Sequence, residues 1–244
     1  MDLKNIDWNS ETYKKFLIYL WSEQDKIWDL KRHAKILNLP SDKVIGIRTP
    51  IIKKIAKEIA KGDWRKFVEL SINDIYEEKV LKGLVLSYVK EDYSVIKSYL
   101  LDFYYKYVDS WAVCDVAVGN LKIINKNKDE HFLLLKNFHK SENPWVVRVG
   151  LVTLLDYYIE ERYLDDIFKI CLEVRSDEYY VKMALAWLIS ILFVKERDRT
   201  LEFLNDNREN LDPWTYNKAL QKIIESLRVS SEDKLLMKKM KIKS

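Results

Sequence analysis

Asn143-Pro144-Trp145-Val146-Val147-Arg148-Val149-Gly150 opens a helix. An asparagine able to cap the first turn precedes a proline whose missing N–H costs nothing there, and an apolar run with helical period follows. Thr49-Pro50 and Asp212-Pro213 repeat the sign. Trp145 is also one of five aromatic residues near the starts of alternate predicted helices: Tyr76, Trp111, Trp145, Tyr180 and Trp214, at separations of 35, 34, 35 and 34 residues. A period of that length belongs to helix pairs stacked as a solenoid, each pair burying its apolar faces on its neighbours. The tetratricopeptide signature is absent. The expectation is therefore an all-α, HEAT-like helical-repeat solenoid whose marker helices lie side by side.

Composition points the same way. The chain has 244 residues, 48% of them hydrophobic, enough for a substantial core. Only 5 Gly and 4 Pro occur, which disfavours turn-rich β architecture and favours long helices. Further breaks fall at Ser41-Asp42, Lys61-Gly62-Asp63, Asp109-Ser110, Ser176-Asp177 and Ser230-Ser231, with no strand pair and no Gly/Ser linker between them. The chain reads as a single domain over residues 1–244, with degenerate first repeats in 1–73, the clearest repeats in 74–229, and a basic C-terminal tail in 230–244 whose Lys-rich end, Lys238 to Lys243, is expected to be solvated and disordered, contact with phosphates being the alternative.

Forty-two basic and 38 acidic side chains leave a net charge of +4, which permits nucleic-acid binding without demonstrating it. Cys114 and Cys171 form no metal-ligand spacing and point to a reducing, cytoplasmic compartment without a disulfide framework. No signal peptide is expected from the acidic and polar start. Met183 to Val194, the longest apolar stretch, is too short to span a bilayer. His33, His131 and His139 lack metal-ligand spacing and read as surface or cap residues. Glu77-Glu78 reads as the solvated first turn of a helix.

Positions 0, +3, +4 and +7 of a helix share one face. On the marker helices the +3 and +4 positions include Asp115 and Arg148, and the +7 position includes Trp187, its only bulky aromatic. With packed helices about 8–10 Å apart, these three and Trp111 are expected to line one concave patch, an acid between two tryptophans beside an arginine. Each residue also has a plainer reading. A tryptophan in a helical repeat is usually core, as Trp145 and Trp214 are read, and Asp115 with Arg148 could be a structural ion pair between neighbouring repeats. Cys114 reads as a small buried filler.

The segments Asp109-Ser110-Trp111-Ala112-Val113-Cys114-Asp115, Glu142 to Gly150, and Tyr180-Val181-Lys182-Met183-Ala184-Leu185-Ala186-Trp187 together resemble the AlkD-type family of bacterial DNA alkylation repair glycosylases. The likeness is strongest from Tyr76 to Leu227, and weaker at Gly46-Ile47-Arg48-Thr49-Pro50 and the helix after it. The resemblance implies a concave DNA-binding face and hydrolysis of the N-glycosidic bond of cationic alkylated purines, such as 3-methyladenine and 7-methylguanine, in duplex DNA. It implies no metal or organic cofactor. By similarity Asp115 is the catalytic carboxylate, Trp111 and Trp187 are aromatic walls against the lesion's deoxyribose, and Arg148 contacts DNA near the lesion. A monomer acting on alkylated double-stranded DNA, with no membrane partner, is expected. The competing class is a noncatalytic HEAT-like module that grips DNA backbone or a protein partner. The feature separating the two is Asp115 beside Trp111, since a scaffold has no need of a carboxylate there.

Overall fold

The computed structural model describes residues 1–72 and 74–242. Fourteen α-helices and no strand occur among the described residues. Packing divides the chain into two compact units, Met1–Lys126 and Asn127–Ser244.

The first unit carries α1 (Ser10–Ser22), α2 (Leu30–Leu37), α3 (Thr49–Ile59), α4 (Trp64–Leu70), α5 (Tyr76–Tyr88), α6 (Tyr93–Lys106) and α7 (Trp111–Val118). Helices α3, α5 and α7 pack side by side, as the aromatic period requires, and α6 packs on α5. Next to them, Trp8, Phe16 and Phe67 form an aromatic core, with ring centroids 5.4 Å apart for Trp8–Phe16 and 5.1 Å for Trp8–Phe67. All three are buried.

Glu77 and Glu78 correct the sequence reading, because neither is solvated. One Glu77 oxygen accepts the Ile45 N–H at 2.9 Å, and the other accepts the Gly46 N–H at 2.7 Å and the Ile47 N–H at 3.3 Å. Glu78 accepts the Tyr13 hydroxyl and, at 3.1 Å, the Asp74 N–H. Buried carboxylates survive by receiving hydrogen bonds. These two serve as structural pins for the loop before α3 and the turn before α5.

The second unit carries α8 (Lys128–Leu135), α9 (Pro144–Tyr157), α10 (Glu161–Glu173), α11 (Tyr179–Lys195), α12 (Arg197–Asp206), α13 (Pro213–Glu225) and α14 (Ser231–Met240). Helices α9, α11 and α13 repeat the side-by-side stack. The middle helix, α11, is apolar nearly all round, as a helix covered on both flanks must be. His131 and His139, read as surface or cap residues, are buried, and His139 Nε2 sits 2.8 Å from Glu173 Oε2.

The expected disordered tail is instead a docked helix. Ser230 caps α14, its hydroxyl oxygen accepting the Asp233 N–H at 3.0 Å, and Met237 is fully buried. Arg197 Nε donates to both Asp233 oxygens at 3.0 Å. Asn217 of α13 exchanges two hydrogen bonds of 2.9 Å with the Ile242 backbone. Lys243, counted in the basic tail, lies outside the described residues together with Ser244.

Candidate functional site

In the first unit the candidate residues come from α7, Trp-Ala-Val-Cys-Asp-Val-Ala-Val. The Ser110 hydroxyl oxygen caps it by accepting the Val113 N–H at 3.3 Å. Ala112, Val113, Cys114, Ala117 and Val118 are buried, in part against α5. The approach of the two helices is close because α5 carries Gly83, where a Cβ would sit 2.7 Å from the Ala117 Cβ. With that face occupied, Trp111 and Asp115, one turn apart, share the half-exposed side of the helix. Asp115 is the single charged residue of α7.

Trp111 is held by packing. It lies against a small core of Ala34, Leu37, Val44 and Ala112, with Tyr76 on the same cluster. On the same side His33 lies 4.1 Å from Trp28 with the two rings tilted, and 6.5 Å from the ring of Tyr76. Partial burial lowers the His33 pKa, so the ring favours its neutral form. Sequence reasoning missed the Trp28–His33 pair, because neither residue falls on the 35-residue period. Lys79 of α5 forms an ion pair with Asp109, just before α7.

In the second unit Asn143 caps α9, its side-chain oxygen accepting the Trp145 N–H at 2.9 Å. Arg148 is only 5% exposed, and its Nη1 donates to the Tyr180 carbonyl oxygen at 2.7 Å. Arg148 is thus a buried arginine that bonds to the backbone of α11. Trp187, two turns beyond Tyr180 on α11, is half-buried. Trp145 and Trp214, read as core, are not buried; Trp214 is 37% exposed.

These rings form an aromatic and cationic row across the starts of α9, α11 and α13. Trp145 lies 5.4 Å from Tyr180, and Tyr179 lies 5.7 Å from Trp214. Lys182 and Lys218 each place an ammonium group over the Trp214 ring, at 5.4 and 5.3 Å. Lys182 also pairs with Asp212 at 3.0 Å. Such surfaces suit flat bases and phosphates alike.

Neither cysteine is in a disulfide, and both are buried; burial pushes the Cys171 thiol up to about 12. Among the described residues no group of three His, Cys, Asp or Glu is placed to hold a metal ion. No described helix is long and apolar enough to cross a membrane.

No curated protein and no solved structure matches the chain. A family model described as DNA alkylation repair enzyme does match, over residues 15–223, from within α1 to within α13. This chain belongs to the DNA alkylation repair enzyme family.

Proposed function

We propose that the protein is a DNA glycosylase that removes cationic alkylated purines, 3-methyladenine and 7-methylguanine among them, from duplex DNA. The observation that carries the proposal is the Trp111–Asp115 pair: one carboxylate and one indole on the half-exposed side of a helix otherwise uncharged. Membership of the DNA alkylation repair enzyme family supports reading alkylated DNA as the substrate class.

The chemistry asks little of the protein. A purine alkylated to a cation is already a good leaving group, so the C1′–N bond can break with its electron pair going to the base and no proton delivered. Positive charge then develops on the deoxyribose, and water adds to C1′. One carboxylate close to the sugar stabilises that charge and orients the water. A unit charge pair at 4 Å, with an effective dielectric near 20, is worth about 4 kcal/mol, roughly a thousandfold in rate.

Asp115 takes that role. Trp111 and Trp187 are assigned as aromatic walls for the sugar, each adding cation–π attraction of about 0.5–2 kcal/mol. Arg148 is assigned to DNA near the lesion. A monomer working in the reducing cytosol completes the reading.

The test is to incubate methylated duplex with the protein and measure free 3-methyladenine and 7-methylguanine. The wild type should release them. Asp115→Asn should release them about a hundredfold to a thousandfold more slowly while keeping its affinity for the duplex. Unchanged release in that variant refutes the role of Asp115. No release by the wild type, with binding intact, favours a noncatalytic DNA-binding module.

A further inference from the structure

A second feature lies wholly in the first unit, lined by none of the residues assigned to the site above. A cleft of about 810 Å³ opens between α3, the start of α4 and the end of α5. Lys53, Lys54, Lys57 and Lys61 line it from α3 and the residues just past it, and Arg65 from α4. Lys4 and Lys90 come from chain segments on either side. Its carboxylates are Glu58 and Glu91, so seven cations face two anions.

That excess decides how the chain's charge is distributed. The whole protein has a net charge of +4, and this cleft alone carries five cations beyond its carboxylates. The rest of the chain is therefore slightly acidic on balance, and the basic character is concentrated here. Glu58 pairs with Lys61 at 2.5 Å and Glu91 with Arg65 at 2.9 Å. Among the described residues Lys4, Lys53, Lys54, Lys57 and Lys90 have no carboxylate partner. Lys57 lies over the Tyr88 ring at 5.3 Å. Like charges crowded this way repel one another, a cost that an anionic ligand removes.

The cleft is built. Gly62 lies so close to the N-terminal segment that a Cβ there would stand 2.3 Å from the Lys4 carbonyl oxygen. This backbone-to-backbone approach, with Leu3 and Trp8 buried on either side, holds Lys4 at the rim. Trp64, 4% exposed and 4.9 Å from Tyr99, gives the cleft a rigid floor, and the Arg65 guanidinium lies over its ring at 4.4 Å.

Lys53 and Lys57 stand one turn apart on α3, about 6 Å along its axis, and Lys61 continues the row in the turn just past the helix. A single phosphate does not span that row. Along one strand of a duplex, phosphates recur every ~3.4 Å of axis, so the row matches consecutive backbone charges. We infer that this cleft is a second phosphate-binding surface of the protein, and that its ligand is the sugar-phosphate backbone of duplex DNA, read without regard to sequence or damage. The inference rests on the DNA-directed reading above but not on the glycosylase chemistry.

Its test uses undamaged duplex, so it does not depend on excision. Affinity of the full chain for a short unmethylated duplex is measured across a salt series, for the wild type, for K53Q/K54Q/K57Q, for the independent pair K4Q/K90Q, and for K14Q/K15Q/K238Q, three exposed lysines outside the cleft. The cleft triple should lose about tenfold or more in affinity at low salt, with the slope of log affinity against log salt less negative by about two to three. The K4Q/K90Q pair should change the slope by about one to two in the same direction. The outside triple should stay near the wild type. Inorganic tripolyphosphate should displace the duplex only at concentrations far above the duplex's own. Unchanged slopes in both cleft variants, an equal loss in the outside triple, or tripolyphosphate binding as tightly as DNA each overturns the proposal. A protein that binds through this cleft yet releases no methylpurine keeps this inference and loses the glycosylase reading; the reverse result does the opposite.

Discussion

Arg148 Nη1 lies 2.7 Å from the carbonyl oxygen of Tyr180, thirty-two residues further along the chain, and this bond ties α9 to the first turn of α11. The guanidinium is nearly closed to solvent, so Arg148 has a structural duty beside any contact with DNA. A buried hydrogen bond from a charged donor is worth about 1.5–3 kcal/mol. Arg148→Ala should lower unfolding stability by about that amount, and Arg148→Lys, which lacks the planar fork, by part of it. Chemical denaturation checks this, with duplex affinity measured alongside on folded protein. If Arg148→Ala unfolds like the wild type and loses only affinity and salt slope, the arginine serves phosphate alone.

Trp111 also has two duties, and two substitutions separate them. Its packing against Ala34, Leu37 and Val44 needs an aromatic plate, which phenylalanine largely provides, while alanine leaves a cavity. Trp111→Ala should cost about 3 kcal/mol or less of stability, since the residue is only half-buried, and should slow methylpurine release at least tenfold. Trp111→Phe should unfold near the wild type and retain most of the release rate. Equal loss of release in both variants, with Trp111→Phe fully stable, would assign the effect to the indole itself.

The helices of the stack were legible in the sequence because their markers repeat: an aromatic every 34 or 35 residues at the starts of α5, α7, α9, α11 and α13, and capped prolines opening α9 and α13. The Trp111–Asp115 pairing on one helix side follows from their spacing alone. Glu77 and Glu78 were misread because their partners, the N–H groups of residues 45–47 and the Tyr13 hydroxyl, are distant in the chain. A charged pair at a helix start looks the same whether solvated or buried. The basic cleft was hidden for a similar reason. Its lysines come from three separated segments, each resembling an ordinary solvated helix end.

Glu77 should leave a mark on the pH dependence of stability. Burial raises its pKa above the usual carboxylate value, with the three N–H donors pulling the other way. A group whose folded value is raised holds its proton more readily when folded. Its contribution is therefore fully present below the ordinary glutamate value and is lost as pH rises through the raised one. Unfolding free energy followed upward from pH 4.5 should fall less in Glu77→Gln than in the wild type. Glu77→Ala, which strands three buried donors, should cost about 3 kcal/mol or more at neutral pH. Parallel pH curves for wild type and Glu77→Gln would mean that the carboxyl does not titrate in that window.

Helix α14 offers the sharpest contrast between the sequence expectation and the structure. A disordered basic tail would tolerate any substitution, whereas Met237 is fully buried and Asp233 is clamped by Arg197. Met237→Ala should therefore destabilise the second unit by about 2–5 kcal/mol. The Arg197 hydrogen bonds hold the Asp233 carboxyl below its ordinary value. That contribution is present above the ordinary aspartate value and is lost as pH falls through the lowered one, so acid should release α14 early. Asp233→Asn should flatten this acid-side loss and lower stability at neutral pH. Hydrogen exchange of the amides in 231–240 reads docking directly, and exchange as fast as in an unstructured peptide would restore the disordered tail.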